Sequence, residues 1–381
     1  MEDNMKNYGQ TSALGGLQVF GLYPFRLLLR FIAGFLYVVF GVDKSFSFHR
    51  STIERLCDKL EVFVSVHRVV TEDGHTLILH RLRLKNSKKV GKPILLQHGL
   101  LESSIVWIAY GKESLAYLLL EHGFDVWLGN NRGNAYSSGN WGLWGKNAQN
   151  WDFREIAEED FSQNVRYIIE ATGYEKIFYI GQSQGAAQAI VGIHNKPDIS
   201  QKLSGLVLLS PALFLKRPDN ATVQFIMDKI PGAGYRIAFP IIALAQCLTP
   251  EFILLPFSHW AMYNMGWYRS PIGWEASKTL FAATPSSGTS TANMLHWVNL
   301  SNSNGNISFD SERISCPTFC YVGSEDDVID AIKTKSLIQN LPDLRHFHCE
   351  PKYGHTDFVW SHQSTKNLYH RISQQLLEVD K

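Results

Sequence analysis

The sequence predicts an α/β fold: a mostly parallel sheet with helices on both faces and a helical cap insertion. Three observations carry this. Strand-like and helix-like patterns alternate from the end of an N-terminal hairpin to about residue 211, the rhythm of a parallel sheet with crossover helices. One strand-to-helix joint holds Gly181-Gln182-Ser183-Gln184-Gly185, a turn sharp enough to need glycine on both sides of the serine. From about Leu213 to Ser290 the rhythm stops. Pro218, Pro231, Pro240, Pro250, Pro256 and Pro271 there break apolar segments, which reads as a helical insertion.

In chain order, residues 17 to 42 come first. Leu17 to Val42 is strongly apolar, with a kink at Pro24 and interruptions at Arg26 and Arg30. The uninterrupted part from Phe31 to Val42 is too short to cross a bilayer core of about 30 Å, but the whole stretch is long enough if the arginines snorkel or pair. A cleaved signal peptide fits poorly: the start is mixed (Glu2, Asp3, Lys6) and no small-residue site follows Val42. A single-pass anchor, a kinked hairpin in one leaflet and a buried or amphipathic helix all fit. Membrane association is the expectation, so residues 1–50 are set apart as a membrane-associated segment.

Glu61 to Leu84 reads as a β-hairpin about Asp73-Gly74. Strands follow at Ile94–Gln97, Phe124–Leu128, Ile177–Ile180 and Gly205–Leu209, with a helix at Ile156–Thr172. Pro317–Val322 and His346–Cys349 are the last strands. Thr365–Leu377, with Leu368, Ile372 and Leu376 on one face, is a closing amphipathic helix. The core is therefore expected over 51–212 and 291–381, with the cap at 213–290. Among the cap aromatics, Phe252, Phe257, Trp260, Tyr263, Trp267, Tyr268 and Trp274 could line an acyl channel or hold the cap to the core.

The chemistry centres on Ser183. An apolar strand leads in and a small-residue helix, Ala186 to Ile190, leads out, the context of a nucleophile elbow. A serine nucleophile needs a base, and the base needs an orienting carboxylate. Asp326 lies just past the strand ending at Val322, with Glu325, Asp327 and Asp330 as competitors, and His355 lies on the loop after the last strand. The expected catalytic set is Ser183, Asp326 and His355. The His98-Gly99 turn after Ile94–Gln97 supplies a backbone N–H, that of Leu100; the second comes from Gln184, and together they make an oxyanion hole. His259 and His296 read as structural histidines.

Several stretches together resemble the eukaryotic acid lipase and steryl ester hydrolase group of α/β-hydrolases, over roughly residues 50 to 375. They are Val69–Leu77, Gln97–Ser104, Gly123–Asn134, Asn293–Trp297 and Tyr353–Phe358. The Gly123-Phe124-Asp125-Val126-Trp127-Leu128-Gly129-Asn130-Asn131-Arg132-Gly133-Asn134 run is the most distinctive. The resemblance implies the α/β-hydrolase fold, favours Asp326 over its acidic neighbours, and implies lipid esters, steryl esters or acylglycerols, as substrates. Fungal-type members carry N-terminal anchors, so it also implies a membrane or lipid-droplet surface as partner, endoplasmic reticulum or droplet, with lysosomal or secreted as the alternative. The group usually has His between the first glycine and the serine; here that residue is Gln182. An acyltransferase with the same triad, or a catalytically silent lipid-binding protein, are the alternatives to a hydrolase.

Composition narrows the rest. In 381 residues, 36 Lys and Arg face 35 Asp and Glu, so nucleic-acid binding has no electrostatic support. Aromatics at 12% with ten Trp suit an apolar ligand or a membrane interface. Cys57, Cys247, Cys316, Cys320 and Cys349 are too scattered for a disulfide framework and read as buried thiols. No metal or organic cofactor is needed by this chemistry. Asn220, Asn299 and Asn306 begin glycosylation sequons that matter only if those loops face a lumen.

Overall fold

The computed structural model describes residues 50–86, 90–134, 136–137, 151–219, 224, 251–264, 266–270, 272, 274–283 and 288–380. The Leu17–Val42 stretch, Asn220 and Cys247, and the side chains of Phe252, Phe257 and Trp274, lie outside the described residues.

Eight strands form one sheet: β1 (Val62–Val70), β2 (Thr76–Leu84), β3 (Pro93–Gln97), β4 (Asp125–Gly129), β5 (Ile177–Gln182), β6 (Leu203–Leu209), β7 (Thr318–Gly323) and β8 (Leu344–Glu350). Their spatial order is β1-β2-β4-β3-β5-β6-β7-β8. The hairpin β1–β2 and the β2–β4 pair are antiparallel, and all pairs from β4 to β8 are parallel. The inner strands are buried at every position and mostly apolar because both faces are covered. Alternate residues divide between two cores: Ile94 and Leu96 pack in one, Leu95 in the other, and Phe178 and Ile180 part from Ile177 and Tyr179 in the same way.

The helices are α1 (Arg50–Lys59), α2 (Leu115–Glu121), α3 (Phe161–Thr172), α4 (Gln184–Asn195), α5 (Glu251–Asn264), α6 (Trp274–Ala283), α7 (Thr291–Asn302), α8 (Ala331–Ile338), α9 (Asp357–Trp360), α10 (His362–Lys366) and α11 (Leu368–Val379). Three of them differ from the sequence pattern. The helix expected from Ile156 starts at Phe153 and passes through a π turn at Ile156–Asp160 before α3. The closing helix is broken at Asn367 into α10 and α11. Pro256 lies inside α5 rather than ending it. Beyond β6, Leu213 and Leu215 are buried in the core, and Phe214 and Leu215 bridge to Asn306 and Ile329.

The Gly123–Asn134 run is a structural hub. Arg132, 1% exposed, donates from its backbone N–H and Nε to the Asp160 carboxylate, both at 2.7 Å, and from Nη1 to Asp73 at 2.6 Å. This ties the β1–β2 turn to the start of α3. Removing one partner of such a buried pair leaves an uncompensated charge, which costs about 3–5 kcal/mol. Asn131 exchanges hydrogen bonds with Gln188 of α4, so the same run also fixes the helix behind the serine.

Candidate active site

Four loops at the carboxyl ends of parallel strands meet at one point, where open α/β sheets hold their ligands. β5 ends in Ser183, whose φ of 53° and ψ of −116° are unusual for a side chain of any size. The glycines beside it are there for closeness. A Cβ on Gly181 would sit 2.3 Å from the Gly185 carbonyl oxygen, and one on Gly185 would sit 2.5 Å from that of Gln97. Glycine thus lets the elbow fold on itself and lets α4 press against the end of β3. Ser183 is 8% exposed, open enough to be reached and otherwise enclosed.

Ser183 Oγ lies 2.7 Å from His355 Nε2, and His355 Nδ1 lies 2.9 Å from Asp326 Oδ2. The other Asp326 oxygen accepts from the backbone N–H groups of Val328 (2.8 Å) and Ile329 (3.0 Å), which fixes the carboxylate in the turn. Its acidic neighbours are elsewhere. Glu325 and Asp327 are half-exposed beside Arg269, and Asp330 caps α8 through the Ile332 and Lys333 amides. Of the four acids that the sequence left in competition, Asp326 is the one against the imidazole.

The turn after β3 faces the serine. Its Leu101 has a φ of 61°, a second left-handed non-glycine residue at the site. Among the described residues, neither the Leu100 nor the Gln184 backbone N–H donates to a protein acceptor. Free donors of this kind beside a serine–histidine pair are what stabilising a developing oxyanion would require. Buried Glu102 holds this turn: its Oε2 accepts from the Gly99 N–H at 2.9 Å and its Oε1 from Trp360 Nε1 at 2.8 Å. Burial pushes its carboxyl up, against the pull of those hydrogen bonds. His98 Nε2 accepts from the Asn131 N–H (3.2 Å) and faces the Asn134 amide (3.1 Å), so Nδ1 carries the proton and donates to the Gly99 carbonyl. Burial holds its pKa down at about 4.

Gln182, where the resembled group has His, is buried, with Nε2 3.5 Å from the His355 carbonyl oxygen. A Cβ on Gly99 would meet its Oε1 at 2.3 Å, so its carboxamide fills the gap between the histidine loop and the turn after β3. His259 bonds Tyr268 and Ser277 within the helical segment, and His296 packs on Phe153 and Trp297. Both are away from the serine relay, as expected. Tyr268 is buried in the core and joins the helical segment to it, whereas Trp260 and Tyr263 are 63% and 50% exposed. Cys57, Cys316 and Cys320 are buried free thiols, but Cys349 is exposed, because β8 is an edge strand. Among the described residues no group of three His, Cys, Asp or Glu side chains could hold a metal ion. No helix among them is long and apolar enough to cross a membrane. Asn299 and Asn306 are both exposed.

Four side chains at the site went unread from sequence: Glu102, Asp357, Asn293 and Trp297. The Asp357 carboxylate accepts from the N–H groups of Gly354 (2.7 Å), Arg269 (2.8 Å) and Ser270 (3.2 Å), joining the histidine loop to the segment after α5. Asn293 and Trp297 reach the Gln184 side chain. The sequence signals for the latter are their place in a stretch that carries the resemblance and their spacing, one helical turn apart on α7.

A parallel sheet with a strained serine at one strand end and a histidine and carboxylate at two others defines an α/β-hydrolase. Residues 92–361 match the family model of the alpha/beta hydrolase fold, and the chain belongs to that family. Within the chain, residues 53–111 also match the model of the partial alpha/beta-hydrolase lipase region. It is 28% identical to Lipase 1 of Drosophila melanogaster over 360 residues, which cover 86% of this chain and 80% of that one. It is 28% identical to the gastric triacylglycerol lipase of Mus musculus over 351 residues, 82% of this chain and 88% of that one. Among solved structures, a thermophilic esterase from Thermogutta terrifontis is similar in fold, with a TM-score of 0.51 and 18% identity over 83% of this chain and all of that one.

Proposed function

We propose that this chain hydrolyses lipid esters, steryl esters or acylglycerols, through an acyl-enzyme on Ser183. The observation that carries the reading is the buried relay from Ser183 Oγ to His355 Nε2 at 2.7 Å and from His355 Nδ1 to Asp326 at 2.9 Å. Ser183 Oγ attacks the ester carbonyl carbon and gives its proton to His355 Nε2. Asp326 keeps the imidazole in the tautomer with Nδ1–H and stabilises the imidazolium. The carbonyl oxygen becomes an oxyanion between the Leu100 and Gln184 amides, where free donors lower the barrier most. Collapse breaks the bond to the alcohol oxygen, which takes the proton from Nε2. Water then enters, gives a proton to Nε2 and attacks the acyl carbon, releasing the acid and restoring Ser183.

The lipid ester class rests on the lipase region at residues 53–111 and on relatives named as lipases, one of them a triacylglycerol lipase. Residues 213–290 form the cap in this reading. Its support is that Trp267, Arg269 and Ser270 bond directly to the histidine loop and that α6 packs on the Ser104–Trp107 turn. The apolar Leu17–Val42 stretch holds the chain on a membrane or lipid-droplet surface, where a water-insoluble ester is met far more often than in solution.

The test is labelling of the full chain with a fluorophosphonate, followed by analysis of products from steryl ester and triacylglycerol emulsions. Wild type should label and release acid. Ser183→Ala should not label, and its hydrolysis should fall by ~10⁴-fold or more. A Ser183→Ala chain that hydrolyses at near wild-type rate ends the proposal. For the surface, a chain lacking residues 1–45 should move to the soluble fraction and lose more activity on emulsion than on a short soluble ester. A full-length chain that fractionates as soluble defeats the anchor alone.

A further inference from the structure

We infer that Asn293 and Trp297 of α7 are positioning residues for the oxyanion hole, acting through the side chain of Gln184; this rests on the hydrolase reading above. Gln184 follows the serine and supplies one of the two free amides. Its side chain does not reach toward solvent: the residue is 3% exposed, and its Oε1 accepts from Asn293 Nδ2 at 2.9 Å and from Trp297 Nε1 at 2.7 Å. Both donors are buried, so the carbonyl has no water to fall back on and its direction is set by two fixed points.

Those points are themselves fixed. Asn293 sits in the first turn of α7, where its N–H donates to Ser290 Oγ at 2.9 Å, and its amide also donates to Thr289 Oγ1 at 2.8 Å. Ser290 in turn donates to the Trp151 carbonyl at 2.5 Å. The Trp297 ring meets Phe153 edge-on with centroids 4.7 Å apart. The Gln184 side chain is thus pinned to a helix that is far from α4 in sequence.

The need for a pin follows from the backbone. Ser183 has a φ of 53°, a conformation that persists only where its surroundings over-determine it. The peptide between Ser183 and Gln184 carries the donor N–H. If Gln184 can rotate, that N–H swings off the line to the developing oxyanion, and the loss is felt in the transition state more than in the bound substrate. The fixed side chain explains why a buried polar residue stands at the first position of α4, next to small residues that would pack there at less cost.

The experiment compares wild type with Trp297→Phe, which keeps a ring and removes the N–H donor, and with Asn293→Ala, which removes the other donor. Three quantities are read: the single-turnover acylation rate, KM for a short soluble ester, and affinity for a trifluoromethyl ketone that forms a tetrahedral adduct on serine. Each variant should acylate about tenfold more slowly and bind the ketone weaker by a similar factor, with KM little changed. In a Gln184→Met background, Trp297→Phe should cost nothing further, because the acceptor is already gone. A variant that melts earlier while keeping wild-type acylation and ketone affinity overturns the inference, since that is the behaviour of a purely structural contact. A wild-type chain inert to fluorophosphonate overturns the hydrolase reading and this inference with it; a reactive wild type matched by both variants overturns this inference alone.

Discussion

The loops at the end of the sheet and the helical segment that meets them are held by contacts of different kinds. The loops are bound by buried bonds between distant parts of the chain: Ser183 to His355, His355 to Asp326, Glu102 to Trp360, Gln184 to Trp297. The helical segment is joined to them at Trp267–Ser270, by backbone groups given to the histidine loop and by the half-exposed pairs of Arg269 with Glu325 and Asp327. The first set defines geometry to within tenths of an ångström and tolerates little. The second includes surface contacts that water and salt can replace. Adjacent residues of one turn show the contrast most sharply: Asp326 points inward to the imidazole and Asp327 outward to Arg269.

The largest expected effect therefore separates these two. Asp326→Asn should lower kcat by about 10³–10⁴, because an amide can present its N–H to Nδ1 and so stabilise the wrong tautomer. Asp327→Asn should change kcat by no more than about threefold, the order of a surface ion pair. Steady-state rates on a soluble ester decide it. Equal losses in the two variants would mean that the contact with Arg269, too, is part of the catalytic geometry.

Asp357 stands between the two regions and should give the next largest effect. Its carboxylate, pushed up by burial, accepts from three backbone N–H groups, one in the histidine loop and two in the segment after α5. Asp357→Ala leaves them without an acceptor, at a total cost of about 4 kcal/mol. Urea unfolding followed by tryptophan fluorescence measures the loss. A loss below that of an ordinary surface substitution would show that the segment detaches freely and that its contacts carry no stability.

His98 sets an acid limit on the core. Its folded pKa of about 4 lies below its ordinary value of 6.5, so the unfolded chain takes up the proton first. Stability is therefore full above 6.5 and falls as pH drops toward about 4, by about 3 kcal/mol from this group. Asp73, held down at about 2 chiefly by its Arg132 hydrogen bond against the cost of burial, acts in a separate window, from 3.8 downward. Melting curves between pH 7 and 4 should fall for wild type and flatten in His98→Gln by the histidine's share. Parallel curves would mean that His98 is protonated in the folded state.

Much of this site could be read before the fold was known, for a physical reason. The nucleophile turn requires glycine at two places and a strand and helix on either side, and the order of serine, acid and histidine follows from where strands end. The choice of Asp326 among four acids was not available from the residues, since a turn's register depends on which carboxylate meets two backbone amides; the family resemblance supplied it. Glu102, Asn293 and Trp297 lie in stretches that carry the resemblance, but no role could be read for them, because it lies in contacts more than a hundred residues away in sequence. The same holds for Cys349, whose exposure depends on β8 being at the edge, and for Pro256, which lies inside a helix that its presence argued against.

The smallest expected effect concerns the outer face of the contact. Arg269 donates through Nη2 to Asp327, stands 4.0 Å from Glu325, and lies 5.4 Å over the Tyr263 ring. Both acids are half-exposed, so the pairs are screened and their worth is about 0.5 kcal/mol. Arg269→Gln removes the charge and leaves the backbone N–H that Asp357 accepts, so the inner clamp stays. Stability should drop by that small amount at low salt, and the difference from wild type should vanish by ~0.5 M salt, where charges are screened within a few ångströms. Activity on a soluble ester should follow the same salt dependence if loosening this corner changes how often the segment stands away from the serine. A salt-independent loss of several kcal/mol would instead put Arg269 with the buried contacts and erase the distinction between the two regions.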